Sequence, residues 1–423
     1  MAGLVFIDGN LLTQDPARLH AEALAVEGDR IAAVGSRTDV ERAVRPGART
    51  VDLGGRTLVP GFNDAHAHAW KLGQLLTSVL DLRGIDSVGL VSGHLPLPTA
   101  AEYEEMVGAF GRHQLERGIT SSSDCGVRPE LVEMYRALDA RDTLTQRLNV
   151  MPLRRLDGRS DNLPLPDRSL TARLRVDTVK LLADGGLSSA TAALRESYRH
   201  ADGRGVHRFE EEELRELMRE THAAGWRLAV HAIGDEAIER VLSAYESLGP
   251  EVPRRRHRIE HLGLPDRGHL RRAATLGIVA VSQTVFIHSL GRNFCEYLPE
   301  ALLARTYPVR EMMEAGITVA LSSDAPVVEE DSPLLGIQAA VLRRDAEGFA
   351  IAPDQAISAA EAQRAYTAGG AFASGDEANR GTLSPGKRAD MAVLSDDPVA
   401  VDPEGLSRIR VDMTVVGSKV FER

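Results

Sequence analysis

Residues 226–263 read WRLAVHAIGDEAIERVLSAYESLGPEVPRRRHRIEHLG, and this stretch decides the fold. It opens on an apolar run that ends at His231. DEAIERVLSAYESLG follows, placing Ile238, Val241, Leu242 and Tyr245 at the i, i+3, i+4 spacing of a helix with one buried face. A second run, RHRIEHLG, then ends at His261. Strand, amphipathic helix and strand in close succession predict a βαβ unit, whose two strands are parallel.

The same alternation extends in both directions. Apolar runs at 58–68, 118–126, 146–153 and 176–186 come before, and runs at 277–284 and 316–326 come after. A helical stretch over 209–225 carries Leu214, Leu217 and Met218 on one face. Eight strands alternating with helices predict an α/β fold, a TIM-type (β/α)8 barrel. No G-x-G-x-x-G follows an early strand, so an open dinucleotide-binding sheet is set aside. Both ends of the chain differ from the middle: short Val, Ile and Leu runs are punctuated by Gly, Asp and Asn. The expected organisation is a small composite β-sandwich from residues 1–56 and 382–423, with a barrel over 57–381. The connections 154–175, 187–208 and 285–308 are expected to loop over the barrel mouth.

Composition narrows the function. The 423 residues carry a formal charge of −11, which speaks against a nucleic-acid or anionic-membrane partner. The two cysteines, Cys125 and Cys295, form no C-x-x-C pair, as expected in a reducing, cytoplasmic setting. The opening MAGLVFIDGNLLTQD lacks the pattern of a signal peptide, and no apolar run approaches the ~18 residues of a membrane span.

Catalytic groups of such a barrel stand at the C-terminal ends of its strands. Reading those ends gives His66 and His68, then Lys180, His231, His261 and Asp324. His66 and His68 alternate, so one strand end presents both rings on one side. Singly, each has an ordinary explanation: a bonded core imidazole, a snorkelling lysine, an aspartate opening an Ala-Pro turn. Together on one rim, imidazoles and a carboxylate make a set suited to zinc and similar divalent ions. Trp70, Asp124, Asp184, Gln283 and His288 lie near strand ends and are weaker candidates for lining a substrate pocket. Ser322 and Ser323 read as supporting hydrogen-bond groups, and His94, His113 and His207 receive no role. The connection TVFIHSLGRNFCEYLPEALLARTYP (284–308) suggests a mostly apolar pocket wall without an Arg/Lys cluster.

PGFNDAHAH, KLLADGG, HAIGD, RIEH and SSDAP, in that order, resemble the metal-dependent amidohydrolase superfamily, most closely its YtcJ-like branch, amidohydrolase family 3. The tail GTLSPGKRADMAVLSDDP is similar to the segment that re-enters the family's β-sandwich. The resemblance implies a distorted TIM barrel with a composite sandwich. It also implies that His66 and His68 bind the more buried metal, His231 and His261 a second, and that Lys180 bridges them as a CO2-derived carbamate. Asp324 would be both ligand and proton-transfer residue. The cofactor is one or two divalent ions, Zn2+ first, with Co2+, Mn2+, Ni2+ and Fe2+ as alternatives. The implied reaction cleaves a C–N bond of an amide, formamide or carbamate-like small molecule through a metal-activated hydroxide. A deaminase of a ring C=N is the alternative, but it would place glutamate where Gly234 stands. A non-catalytic binding homologue is disfavoured because all six positions are filled. Family habit implies a homo-oligomer, a dimer or larger. The chain is shorter than many YtcJ-like proteins between the second histidine and the lysine.

Overall fold

The computed structural model describes residues 3–44, 47–77, 97–156 and 159–422; His94 lies outside them. Each of the eight apolar runs supplies one parallel strand. These are β1 (Phe62–Ala67), β2 (Ile119–Val127), β3 (Arg147–Pro152), β4 (Thr178–Leu182), β5 (Arg227–Ala232), β6 (Arg258–His261), β7 (Val279–Ser282) and β8 (Val319–Leu321). They form two parallel sheets, β1 to β3 and β4 to β8, each paired in chain order. The sheets meet along two seams. At one, Leu153 bridges to Lys180 and the Arg154 N–H donates to the Lys180 carbonyl over 3.2 Å. At the other, the Asp324 N–H donates to the His66 carbonyl over 2.8 Å.

Nearly every strand residue is buried, as a parallel sheet covered on both faces requires. The polar run in β2 is satisfied inside the fold: Ser122 donates to Gln114 Oε1 over 3.0 Å, and Asn149 donates to Ser123 Oγ over 3.3 Å. The helices at Glu211–Ala223 and Asp235–Ser247 bury the faces their spacing predicts, packing Leu217, Met218, Ile238 and Leu242 against Leu228, Val230 and Ile259.

The mouth connections differ from the loop expectation. Residues 285–308 contain helices at Val285–Tyr297 and Glu300–Leu303. Apolar residues at 286, 290 and 294 recur every fourth position, one helical face, so the segment coils and packs there. Connection 154–175 ends in a short strand pair, Ser169–Leu170 against Leu174–Val176, which extends the β1–β3 sheet.

Strands from both ends of the chain mix in a six-stranded sheet. Its order is Lys419–Glu422, Val411–Val416, Asp390–Leu394, Thr57–Pro60, Asn10–Asp15, Arg18–Ala21. A four-stranded sheet from residues 4–52 stacks on it, and Phe6, Val26 and Val51 pack against Leu11, Leu58, Met391 and Val415. Thr57–Pro60 is the junction, since the next strand is β1. Between them the chain passes so close to β2 that a Cβ on Gly61 would come within 2.2 Å of Thr120 Cγ2. Among the described residues no helix is long and apolar enough to cross a membrane.

Candidate metal centre

The six strand-end residues come together. His66 Nε2 and His68 Nε2 lie 3.3 Å and 3.1 Å from one atom, Asp324 Oδ1. Lys180 Nζ is 3.4 Å from His66 Nε2. The His261 ring is centred 5.0 Å from that of His66 and 4.4 Å from that of His231. Ligand atoms of His66, His261 and Asp324 all fall within 4.8 Å of one another. His261 (φ 72°) and Asp324 (φ 57°) both hold left-handed backbone, sparsely populated by residues other than glycine and typical of functional positions.

Hydrogen bonding on the outer side of each ring fixes what the inner side can do. His66 Nδ1 faces Glu260 Oε2 at 2.5 Å, His68 Nδ1 the Cys125 carbonyl at 2.6 Å, and His261 Nδ1 the Gln283 Oε1 at 2.6 Å. The amide of Gln283 is oriented by its own donation to Ser322 Oγ, over 2.8 Å. All three partners are acceptors, so each Nδ1 carries the proton and each Nε2 keeps a lone pair. His231 is reversed: its Nε2 donates to the Gly185 carbonyl over 3.0 Å, leaving Nδ1 unprotonated.

Burial disfavours the imidazolium. It lowers the pKa of His66, that of His261 further, and that of His68 to about 3, with the charge of Lys180 adding to the effect at His66 and that of Lys71 at His68. Burial works against the Asp324 carboxylate too, and its pKa falls below the carboxylate range only through positive charge or donated protons from His66, His68 and His261. A divalent cation among neutral imidazoles would replace these. Lone pairs of two imidazoles thus converge on a carboxylate oxygen that has no hydrogen-bond donor of its own. Such a donor set fits a divalent cation.

A model of the Amidohydrolase family matches residues 86–421. The chain belongs to that family. It is 27% identical to N-substituted formamide deformylase of Arthrobacter pascens, over all of this chain and 99% of the relative. That alignment runs over 546 positions against the 423 residues here, so the relative carries insertions that this chain lacks. Identity to the amidohydrolase YtcJ of Bacillus subtilis is 35%, over 58% of this chain and 47% of that one. The fold is similar to that of a metal-dependent hydrolase from Pyrococcus horikoshii, with a TM-score of 0.80 and 22% identity over 95% of this chain and 99% of that one. The protein is a metal-dependent amidohydrolase, acting on carbon–nitrogen bonds.

Of the five weaker candidates, Asp184 alone lines the amidohydrolase cavity beside His231, His261 and Asp324. Even so, its carboxylate is occupied, accepting from the N–H groups of Ala193 (3.0 Å), Ile233 (3.1 Å) and Gly234 (2.8 Å). Gln283 stands behind His261 rather than in the cavity. Asp124 is fully buried, its pKa pushed up to about 7 by desolvation; it accepts from the Ala69 N–H (2.9 Å) and the Tyr135 hydroxyl (2.5 Å). It thereby anchors the first turn of the helix that follows His68. Trp70 packs into the core with Tyr103 and Ala325. His288 is half-buried and does not line the cavity, because two residues along a helix from the lining Phe286 a side chain leaves on another flank. The apolar wall expected from 284–308 is present in Phe286, Leu290, Phe294 and Tyr307.

Sequence reading gave no role to Glu260 and Arg258. Arg258 clamps Glu260 through two bonds, Nε to Oε1 over 2.7 Å and Nη2 to Oε2 over 2.9 Å, and also donates to the Ala65 carbonyl over 2.7 Å. Both residues are fully buried. The signal was present in RIEH: two opposite charges on alternate positions of a strand that should be apolar must be paired. Asp64, also passed over, accepts from the Ser323 N–H (3.0 Å) and hydroxyl (2.5 Å), fixing the residue before Asp324.

Proposed function

We propose that this chain hydrolyses the C–N bond of a formamide or a closely related small amide or carbamate, with Asp324 moving the proton. The observation that carries this reading is Asp324 Oδ1 lying 3.3 Å and 3.1 Å from two imidazole nitrogens that have no proton to give it. His66, His68, Lys180, His231, His261 and Asp324 would hold one or two divalent ions, Zn2+ first. A divalent ion supplies Lewis acidity there, acidifying water and polarising a carbonyl oxygen. Asp324 is the buried anion placed to take a proton from the attacking water and return it to the leaving nitrogen. Ser323, held by Asp64, and the Asp324 N–H, held by the His66 carbonyl, keep that carboxylate aimed. Lys180 as its CO2 adduct would supply an oxygen to each of two ions; left unmodified, it implies a single ion.

The formamide choice is supported by the deformylase from Arthrobacter pascens, which aligns along the whole chain. A ring deaminase is disfavoured at Gly234, where a Cβ would sit 1.9 Å from the Ala193 carbonyl oxygen, leaving no room for the glutamate it would need. We take the two parallel sheets, joined at both seams, as one distorted (β/α)8 barrel over 57–381. The mixed terminal sheets support a composite sandwich from 1–56 and 382–423. Free Cys125 and Cys295 support a cytoplasmic enzyme, and we infer a homo-oligomer acting on small molecules.

The test is a panel of formamides, N-acyl amines, carbamates and cyclic amides offered to zinc-loaded enzyme, with released amine, carboxylate and ammonia all measured. Asp324→Asn is expected to lower kcat by about a thousandfold while retaining appreciable metal. Full activity in that variant, or ammonia released without a carboxylate, would overturn the reading.

A further inference from the structure

Arg343 is fully buried, yet among the described residues no carboxylate bonds it. Its guanidinium donates to backbone carbonyls instead: Nε to Ile351 (3.1 Å) and Ala352 (3.2 Å), Nη1 to Tyr307 (3.2 Å) and Nη2 to Thr306 (2.6 Å). Burial lowers its pKa to about 9, so the group is still a cation at neutral pH. A buried charge without a counter-ion is tolerated only where hydrogen bonds surround it. Unusual backbone gathers at the same point. Tyr307 (φ 46°), Arg343 (φ 52°) and Ala352 (φ 45°) all hold the left-handed conformation, which residues other than glycine seldom adopt. Such outliers persist where their surroundings over-determine them, and this one guanidinium bonds the carbonyls of both Tyr307 and Ala352.

The segments joined in this way are the front and the back of the apolar wall. Tyr307 stands at the end of connection 284–308, its N–H bonded over 2.7 Å to the carbonyl of Gly263, two residues past His261. Its ring is centred 6.1 Å from that of Phe286 and 6.0 Å from that of Phe294. Phe286 in turn stacks on His261, 6.3 Å away and 15° from parallel. His261 and these three rings line one cavity, whereas Arg343 does not reach it. Ile351 backs the wall. It is buried with the same three rings, and a Cβ on Gly291, in the helix Val285–Tyr297, would come within 2.3 Å of its Cδ1.

We propose that Arg343 is a positioning residue for substrate selection: by tying Tyr307 to Ile351, it sets how closely the aromatic wall grips an apolar group beside the reacting carbon. The scissile bond rests on the hydrolase reading above; the grip on the apolar group rests on the wall alone. A planar guanidinium with several fixed donors can hold separate carbonyls at once, which the point charge of a lysine cannot do.

The test uses acetohydroxamate, propionohydroxamate and butyrohydroxamate, which chelate a divalent ion and whose alkyl groups grow by one carbon at a time. Their affinities for the zinc-loaded enzyme are measured by calorimetry. In the wild type each added methylene should tighten binding by about fourfold, the transfer value of a buried CH2. In Arg343→Lys the gain should fall to about twofold, with bound metal and acetohydroxamate affinity unchanged. A role confined to stability would instead lower the melting temperature and leave the gain intact. Ile351→Ala keeps every backbone carbonyl that Arg343 uses but removes the backing, and should also lower the gain to about twofold. It replaces Arg343→Lys if circular dichroism shows that variant to be unfolded. A gain still near fourfold in the folded variants, or no gain in the wild type, would overturn the proposal. Turnover of N-methyl-, N-ethyl- and N-propylformamide is followed in parallel. If the hydroxamate pattern holds but no formamide is cleaved, the role of Arg343 stands and the formamide reading falls. Formamides cleaved alongside a hydroxamate gain that ignores both substitutions would leave the reading and remove the role.

Discussion

Strand β6 has a histidine at each end, and the protein treats the two in opposite ways. His257 directly precedes the strand and His261 closes it; both are buried. His257 Nδ1 accepts from the Leu228 N–H over 2.9 Å, its Nε2 lies 2.9 Å from His222 Nδ1, and its ring stacks on Tyr245. Both nitrogens are thus matched by protein. His261 gives one nitrogen to Gln283 and leaves the other among His66, His231 and Asp324. Burial is shared and so is the chemistry of the ring. What separates a structural histidine from a candidate ligand is whether the fold supplies a partner for the second nitrogen.

The widest gap between the two ends is expected in metal content. His261→Ala should lose at least one equivalent of bound metal, read by plasma emission, whereas His257→Asn should retain the full complement. Comparable losses in both variants would erase the distinction. A smaller effect tests how the outer nitrogen is held. Glu260→Gln leaves His66 Nδ1 a neutral partner and Arg258 an uncompensated charge. Metal affinity, measured by chelator competition, should fall by about 10- to 100-fold. Unchanged affinity would mean that the Glu260 contact does not tune the site.

The smallest effect concerns His257 itself, whose pKa burial lowers to about 3, with His222 adding to the shift. Its folded pKa lies below the unfolded value of ~6.5, so the unfolded chain takes up the proton first as the solution is acidified. The stabilisation from neutral His257 is complete above about pH 6.5 and is lost as pH falls toward 3. Between pH 7 and 6 the loss is about 0.7 kcal/mol for this one group. Thermal melts at the two pH values should show a shallower acid slope in His257→Asn than in the wild type. Equal slopes would show that this ring is not the neutral, structural one.

The strands and the residues gathered at their ends were legible in the sequence for the same reason. A parallel strand buried on both faces leaves an unbroken apolar run, and the barrel places chemistry at the end of each run, as at RLAVHA and ITVALSSD. The partners of the imidazoles were not legible. Glu260 lies 194 positions from His66, and Gln283 lies 22 from His261, distances at which no local spacing survives. Gln283 therefore read as pocket lining when it is an orienting group. Residues 285–297 read as a loop because Ser289 and Asn293 interrupt the apolar face that Phe286, Leu290 and Phe294 share.

The junction strand Thr57–Pro60 also sets an order of events during folding. One of its edges is filled by Asn10 and Leu11, close to it in the chain, and the other by Met391–Leu394, far beyond it. Pairing across so much intervening chain carries a large loop-closure cost and slows assembly. β1 follows this strand after a single glycine, so the footing beneath His66 and His68 is completed only when Met391–Leu394 dock. A folding intermediate that lacks this long-range pairing therefore lacks the finished footing for the His66 and His68 rings.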